Sequence, residues 1–347
     1  MIQYKEVGVE VSQSLEGTLI RPRTKSGQVT LALAHYDRHG PLIEGIVTLP
    51  GLDLRVMVVG QNTRERDGAN RHRRMLREGE FDMAEVSLSS YLMAKDRGAP
   101  FSAIPVFPRR LFSLSQIWTR SDSGLKSPAE LRGKRVGINT FQTTLSVLAK
   151  ADLNRIYNLN WRDISWTTAR EETIPFSPDE KVDIQTLKPG ESLVDRLLNG
   201  ALDAVMVPHP PEELLVSNRI SRLLRDPQGE EVSYFNRFGY YPIMHVIAIR
   251  DDVLEKFPEL SRNTLEAFDQ SFEIAKKRWN DPNWSLLAWG RQEFERQQEQ
   301  FKTDIWPNGL ARNRENLAWF IEQSFDQGLI SRVYDPSGLF AQDTLDS

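Results

Sequence analysis

The segment from residue 71 to residue 105 constrains the fold more than any other part of the chain. Its pattern predicts a helix, a strand, a polar turn, a second helix and a second strand. Glu85, Ser87, Ser89 and Ser90 fall where the first of these strands should end. In an α/β sheet, ligands bind at the carboxyl ends of strands, beside helix N-termini whose free N–H groups attract anions. The segment therefore predicts a site for a small, polar, anionic ligand; the alternative is that a serine only caps the helix.

A second polar junction of the same kind lies further along the chain. A predicted strand over 133–138 leads into residues 139–144, which are mostly polar and open a predicted helix. Strands alternate with helices along much of the chain, which indicates α/β architecture. The other predicted strands are 29–34, 52–59, 104–107, 112–119, 201–207 and a strand-like run over 240–249.

Composition narrows the class of protein. A chain of 347 residues has room for two lobes of ordinary domain size. Its formal net charge is -4, and its lysines and arginines are dispersed, so we expect no nucleic-acid partner. The chain has no cysteine, which excludes disulfides, thiolate nucleophiles and zinc sites built on cysteine. It also lacks the glycine-rich dinucleotide turn, the phosphate loop and the GxSxG nucleophile motif.

The N-terminal region has little apolar content, so residues 1–27 are predicted to be an extension of the fold. No stretch approaches the roughly 20 apolar residues that span a bilayer, and no secretory signal pattern is present. We expect a cytoplasmic protein without membrane contact; the alternative is that a signal has been removed.

Six motifs in order resemble the 4,5-dihydroxyphthalate decarboxylase family, and the resemblance covers roughly residues 29–342. They are His35–Arg38, Glu85–Tyr91, Ile104–Pro108, Leu131–Gly137, Pro242–His245 and Trp306–Gly309. The resemblance implies an α/β, two-lobed fold of the type 2 periplasmic-binding-protein kind, with two crossover segments and an interlobe cleft. Lobe I would comprise 28–113 and 243–347, and lobe II 114–242, with crossovers near 113–119 and 237–244.

Two departures from the family pattern bear on the substrate. Ser113-Leu114 stands where the family commonly has an Arg-His pair, and His209 stands where arginine is frequent.

The implied reaction is loss of carbon dioxide from a hydroxylated aromatic acid. It requires a base for the phenol, an acid for the ring carbon and a cationic clamp for the carboxylate. His35 and His245 are the predicted acid–base residues, with Glu85 and Asp37 to orient them or to serve as a base. Arg38 is the preferred clamp because its planar fork binds carboxylate bidentately, and Arg109 is the second choice.

Further substrate-binding residues are predicted from the two polar junctions and from the Pro-rich turn of the second lobe. They are Ser87, Ser89, Ser90, Gln142, Thr143 and Thr144 as neutral hydrogen-bonding groups, Phe141 as a stacking ring, and His209.

Several alternatives stay open at this point. A lone histidine is often a hydrogen-bonded core residue, a lone Phe141 is more often core, and Asp37 would equally suit a surface pair with Arg38. One of the adjacent Arg109 and Arg110 would simply face solvent. His39 and His72 are expected to be exposed. The tryptophan-rich C-terminal helices indicate internal packing or a subunit interface, and a homo-oligomer is possible.

The predicted function is cofactor-free decarboxylation of a small hydroxylated aromatic carboxylate such as 4,5-dihydroxyphthalate. Dependence on a divalent metal held by His35, Asp37, Glu85 and His245 is the second mechanism. The alternative function is a solute-binding protein that captures an aromatic acid or a similar anion for an ABC transporter, because the same fold suits both.

Overall fold

The computed structural model of the chain describes residues 27–59, 69–176 and 182–347, so the predicted N-terminal extension lies outside it except for Gly27. The described strands are β1 (Gln28–Leu33), β2 (Asp53–Val58), β3 (Met83–Ser87), β4 (Phe101–Ile104), β5 (Ile117–Arg120), β6 (Arg135–Ile138), β7 (Ser165–Thr168), β8 (Ile184–Thr186), β9 (Ala204–Met206), β10 (Ile220–Arg222) and β11 (His245–Arg250). The described α-helices are α1 (Gly40–Ile43), α2 (Ala69–Leu76), α3 (Leu88–Asp96), α4 (Thr144–Tyr157), α5 (Leu193–Leu198), α6 (Glu212–Val216), α7 (Pro227–Phe238), α8 (Asp251–Lys256), α9 (Leu260–Arg278), α10 (Gly290–Phe301) and α11 (Arg314–Asp326).

The strands form two separate sheets. The first, in the order β2-β1-β3-β11-β4, belongs to lobe I, and the second, in the order β10-β5-β9-β6-β7-β8, belongs to lobe II. In the first sheet β11 runs antiparallel to β3 and β4, although it comes from much later in the chain. The last strand of lobe I therefore returns to the middle of the first sheet, which brings distant parts of the sequence together.

The strands of lobe I other than the edge strand β2 are buried on both faces. Val86 and Val246 belong to one apolar cluster, whereas Met83 and Ile247 belong to another. A sheet covered on both sides has near-continuous apolar strands. Glu85, in the middle of β3, is therefore an exception, and its buried charge is costly unless it is paired and hydrogen-bonded.

Two crossover segments connect the lobes and run side by side. The N–H of Leu111 donates to the carbonyl of Pro242 at 3.0 Å, and the N–H of Met244 donates to the carbonyl of Arg109 at 2.8 Å. Arg110 belongs to the first of these segments and is 3% exposed, so the prediction that one of the paired arginines faces solvent is wrong for Arg110. Its guanidinium donates to the carbonyl of Tyr241 at 2.7 Å, which fastens one crossover to the other.

Prolines bound two of the strands. β4 occupies Phe101–Ile104 rather than the predicted 104–107 and ends before Pro105, and β11 begins only at His245, three residues after Pro242. The predicted strand over 112–119 is a strand only from Ile117 onward for a different reason, because a turn of 3-10 helix occupies Leu114–Gln116. Proline has no N–H to donate to a ladder, so strands that approach it end early.

The tryptophans near the C-terminus have different environments. Trp279 stacks on Phe294, with ring centroids 5.8 Å apart, and Trp306 packs against Tyr241. Trp284 and Trp289 are 41% and 77% exposed, so internal packing accounts for only part of this group. The homo-oligomer stays a prediction.

Candidate active site between the lobes

A small cavity lies between the two lobes, and we call it the interlobe cavity. Its volume is about 30 Å³, which is room for about one water molecule. Its polar lining from lobe I comprises His72, Ser87, Ser90, Arg109 and His245, and that from lobe II comprises Thr140, Gln142, Thr143, Thr144, Arg170 and Thr173. A benzene dicarboxylate is much larger than this volume, so the lobes must separate for such a ligand to enter.

The two polar junctions predicted from the sequence meet across this cavity. The Ser87 and Thr144 hydroxyls are 2.8 Å apart, and the N–H of Ser89 donates to the Thr144 hydroxyl at 3.2 Å. The Ser90 hydroxyl donates to the side-chain oxygen of Gln142 at 3.3 Å. Ser87 occupies the N-cap position of α3 without making a side-chain cap bond. Its hydroxyl therefore joins the two lobes, and the capping alternative does not hold for Ser87.

Arg109 adds a second connection between the lobes. Its guanidinium lies 2.8 Å from Nε2 of His209 and donates to the carbonyl of Pro208 at 3.1 Å. These bonds hold a cation at the wall of the interlobe cavity, where Arg170 provides another. The cavity is consequently suited to a ligand with negative charge.

Glu85 and His245 form a close pair beside the cavity. Their strands are antiparallel with His245 opposite Ser87, so Glu85 and His245 are diagonal neighbours on the same face of the sheet. Oε1 of Glu85 lies 2.5 Å from Nδ1 of His245. Oε2 accepts from the N–H of Ala34 at 2.9 Å, at the end of β1. Pairing of β11 with β3, rather than any local sequence motif, creates this contact.

Arg71 holds the Glu85 carboxylate in its charged form. It is 1% exposed and Glu85 is fully buried, and Nη2 of Arg71 lies 3.3 Å from Oε2 of Glu85. Arg71 also donates through Nε to the carbonyl of Glu85 at 2.7 Å. Burial alone would raise the pKa of Glu85, but the Arg71 guanidinium and the His245 hydrogen bond hold it well below its ordinary value. Glu85 is therefore an anion at neutral pH.

The same network determines the protonation state of His245 and which ring nitrogen carries its proton. Burial lowers the pKa of His245 to about 4, although the hydrogen bond and the charge of Glu85 act in the opposite direction. A second proton on His245 would leave the buried Arg71–Glu85–His245 group with a net positive charge, so the neutral imidazole is favoured. The Glu85 carboxylate only accepts, so the proton sits on Nδ1 and Nε2 keeps its lone pair. His245 is thus an oriented base at the cavity wall.

Three of the predicted site residues, His35, Asp37 and Arg38, lie outside the interlobe cavity. His35 and Asp37 are exposed, and Asp37 pairs with Arg38 at 3.3 Å. The Arg38 guanidinium lies between the rings of Tyr36 and Trp306, at 4.2 and 4.3 Å from their centroids. Asp37 and Arg38 line a separate groove of about 600 Å³ beside α9 and α10, so neither belongs to the lining of the interlobe cavity.

Phe141 is a core residue of lobe II. It is 1% exposed, stacks on Phe176 with centroids 5.6 Å apart, and contacts Trp161 edge-on. Nζ of Lys150 also lies over the ring, 2.9 Å from its centroid. Phe141 is therefore enclosed by core side chains and lies outside the cavity lining, so the core alternative applies rather than stacking on a substrate.

His39 and His72 are both buried, contrary to the expectation that they are exposed. His39 is fully buried, with Nδ1 at 2.7 Å from the carbonyl of Ala34 and its ring against Phe268. His72 is 5% exposed and lines the interlobe cavity. A helix that packs on a sheet buries the residues on one face, and His72 shares that face with Leu76 at the i, i+4 spacing.

We predict that His39 makes the stability of the protein depend on pH. Burial lowers the pKa of His39 to about 4, below the ordinary value near 6.5. Between about pH 7 and pH 5 the unfolded chain binds a proton at this position that the folded chain does not, so stability falls as the pH falls. Wild type should lose about 2 kcal/mol more than His39→Gln over this range, measured by urea unfolding. Equal losses in the two proteins would contradict the prediction, and all other titrating groups cancel in the comparison.

Comparison with known proteins shows which family the chain belongs to. A family model described as NMT1/THI5 like matches residues 62–154. A 4,5-dihydroxyphthalate decarboxylase of Comamonas testosteroni is 30% identical over 330 residues, which cover 92% of this chain and 98% of the relative. A protein of the same name from Pseudomonas putida is 32% identical over 220 residues, which cover 61% of this chain and 83% of the relative. The chain belongs to the 4,5-dihydroxyphthalate decarboxylase family.

Solved structures confirm the fold that was expected for this member of the decarboxylase family. The periplasmic aliphatic sulphonate binding protein SsuA of Escherichia coli superposes with a TM-score of 0.56 at 13% identity, over 92% of this chain and 99% of SsuA. Protein AF1704 of Archaeoglobus fulgidus superposes with a TM-score of 0.52 at 16% identity, over 88% and 100% of the two chains. The two-lobed, periplasmic-binding-protein-like fold is therefore confirmed, and the expectation of a carboxy-lyase agrees with the names of both sequence relatives.

The two departures from the family pattern have different positions. Ser113 lies outside the cavity lining and donates to Oδ2 of the buried Asp152 at 2.6 Å, at a crossover segment. His209 contacts Arg109 at the cavity wall. Only His209 is therefore placed to influence which substrate the protein accepts.

The described ranges contain no cluster of three or more histidine, aspartate or glutamate side chains arranged to hold a metal ion. Of the four predicted ligands, Glu85 and His245 are together and His35 and Asp37 are elsewhere. Whether the reaction needs a metal or a cofactor stays a prediction. No helix within the described part of the chain is long and apolar enough to cross a membrane, and the cytoplasmic location stays a prediction.

Sequence reasoning missed Arg71, His72 and Arg170. For the first two a signal exists, because Arg71 and His72 stand four residues before Met75 and Leu76 on the buried side of the same helix. Arg170 follows β7 in a segment without a motif, and its place at the cavity depends on how the lobes meet.

Proposed function

We propose that this protein removes carbon dioxide from 4,5-dihydroxyphthalate or a closely related hydroxylated aromatic acid. The Glu85–His245 pair at the wall of an arginine-flanked interlobe cavity carries the proposal, since a base and an anion clamp are what the reaction requires. The names of the two sequence relatives support the same substrate.

The arginines of the cavity wall bind the substrate. The substrate has two adjacent carboxylates, and Arg109 and Arg170 come from different lobes. Closure of the lobes therefore brings both guanidinium groups to the substrate, and the hydroxyls at the Ser87–Thr144 junction supply neutral hydrogen bonds. The carboxylate clamp is thus assigned to Arg109 and Arg170 rather than to Arg38.

The chemistry begins at the ring hydroxyl. Each hydroxyl of the substrate is para to one carboxylate, and Nε2 of His245 takes the proton of one hydroxyl while Glu85 stabilises the imidazolium. The phenolate electron pair moves into the ring, and the carbon that bears the para carboxylate accepts a proton. The bond to the carboxylate then breaks, its electron pair restores the aromatic ring, and carbon dioxide leaves. His245 finally returns its proton to the phenolate.

The second candidate function is a solute-binding protein for an aromatic acid. It is favoured by the fold neighbours, one of which is a sulphonate-binding protein. A binding protein, however, has no use for an oriented neutral base held by a buried carboxylate, which is costly to fold. We therefore favour the enzyme.

The test is carbon dioxide release from purified protein supplied with 4,5-dihydroxyphthalate, with and without a chelator. We expect one carbon dioxide per substrate consumed, and unchanged turnover with the chelator. Phthalate, which lacks hydroxyls, should bind and compete without losing carbon dioxide, because no phenolate can form. Tight binding of 4,5-dihydroxyphthalate and other phenolic acids without turnover would instead support the solute-binding function.

A further inference from the structure

We propose that His72 delivers the proton that replaces the carboxylate on the ring, and that it takes up this proton when an aromatic dicarboxylate enters the interlobe cavity. The delivery step rests on the proposed function, whereas the proton uptake is a property of the site itself.

His72 lies at the cavity with one ring nitrogen that has no hydrogen-bond partner among the described residues. That nitrogen is Nε2, and it is buried. The ring lines the interlobe cavity and meets the His245 ring edge-to-face, with centroids 5.1 Å apart. A buried polar atom without a partner is costly, so one that faces a ligand cavity points to a ligand as its partner.

The reaction needs a second proton-carrying group besides His245. The hydroxyl that loses its proton and the carbon that gains one are at opposite ends of the ring, so one imidazole cannot serve both at once. Among the described residues that line the cavity, the ionisable side chains are His72, His245, Arg109 and Arg170. Arginine is not a proton donor in proteins, and His245 is engaged with the hydroxyl, so His72 is the remaining group.

The charges around His72 explain why its proton would arrive with the substrate. Arg71 on its own helix, Glu85 on β3, His245 on β11 and Arg170 of lobe II are the groups that act on it. Burial, with help from His245 and Arg71, lowers the pKa of His72 well below its ordinary value, so the free protein carries a neutral imidazole. A dicarboxylate brings two negative charges into this cationic surrounding and favours the imidazolium.

The step balances without any further reactant. The His72 imidazolium gives its proton to the ring carbon, the bond from that carbon to the carboxylate breaks, and carbon dioxide leaves while the electron pair stays with the ring. His72 returns to its neutral form as the charge in the cavity falls. One proton from solvent is consumed for each carbon dioxide released.

Proton uptake can be measured without turnover, with phthalate as the probe. Phthalate is titrated calorimetrically into the protein near neutral pH in buffers of different ionisation enthalpy. Wild type should take up about one proton per phthalate bound, and His72→Gln should take up close to none while still binding phthalate. His39→Gln is the matched control, because it removes a buried imidazole outside the cavity lining, and it should behave as wild type.

The activity of the same variants completes the test. His72→Gln should lower kcat for 4,5-dihydroxyphthalate by about 100-fold, with a much smaller change in phthalate affinity. Undiminished proton uptake in His72→Gln, or no uptake in wild type, would overturn the assignment. His72-dependent proton uptake together with no carbon dioxide release would overturn the proposed function instead, and would leave His72 as the proton-accepting residue of an anion-binding site.

Discussion

Replacement of His245 by glutamine is expected to lower kcat/KM for 4,5-dihydroxyphthalate by about 10⁴-fold. Among the residues that the structure describes, the imidazole is the one base held at the cavity wall by a carboxylate, with Nδ1 at 2.5 Å from Glu85. Glutamine retains a polar side chain of similar reach but does not take the proton of the phenol. Without phenolate formation the ring carbon para to the hydroxyl is not basic enough to accept a proton, so the rate of carbon dioxide release falls.

Binding and folding controls separate this effect from structural damage. His245→Gln should bind phthalate with an affinity close to that of wild type, because the arginines of the cavity wall are intact. Its urea unfolding should remain cooperative. His39→Gln again serves as the matched variant and should keep most of the activity. A rate within a few-fold of wild type for His245→Gln would remove His245 from the mechanism.

Replacement of Glu85 by glutamine is expected to destabilise the protein by about 3–5 kcal/mol. The substitution keeps the shape of the side chain but leaves the Arg71 guanidinium, which is 1% exposed, without its counter-charge. Removing one member of a buried ion pair leaves an uncompensated buried charge, and this is why the loss exceeds that of an ordinary hydrogen bond. Urea unfolding of the two proteins at neutral pH measures the difference.

A second substitution tests whether the pair is the cause. Arg71→Met in the Glu85→Gln background removes the stranded charge, so the double variant should be more stable than the sum of the two single losses implies. The stability that wild type has over Glu85→Gln, which we call the advantage of wild type, should also depend on pH. Because the folded pKa of Glu85 is held below its unfolded value of about 4.3, the advantage is present above that pH and is lost as the pH falls toward the folded pKa. Strictly additive single losses would contradict the buried-pair account.

Local patterning predicted much of the fold and part of the site. The run of apolar residues before Glu85 and the polar residues after it predicted a strand that ends at a ligand site, and β3 occupies 83–87. The junction at 139–144 was predicted in the same way, and the structure places Thr144 against Ser87. Such features can be predicted from the sequence because strand ends and helix starts follow from short-range periodicity and turn chemistry.

The remaining parts of the site depend on contacts between segments that are far apart in the chain. The Glu85–His245 pair joins residues 160 positions apart and exists because β11 inserts beside β3. Arg38 was an obvious candidate clamp from its residue type, but Tyr36 and Trp306 hold it away from the cavity lining. Arg71 and His72 were hidden for the opposite reason, because a basic helix was expected to be exposed and its packing face is buried.

The sequence by itself determined the α/β class, the two polar strand ends and the residue types available to bind an anion, because these follow from local periodicity and side-chain chemistry. The tertiary structure alone decided which imidazole meets which carboxylate, which arginines face the cavity and which histidines are buried. The physical reason is that burial and the distance between charges set their protonation, and both quantities exist only once the two lobes have folded and closed on each other.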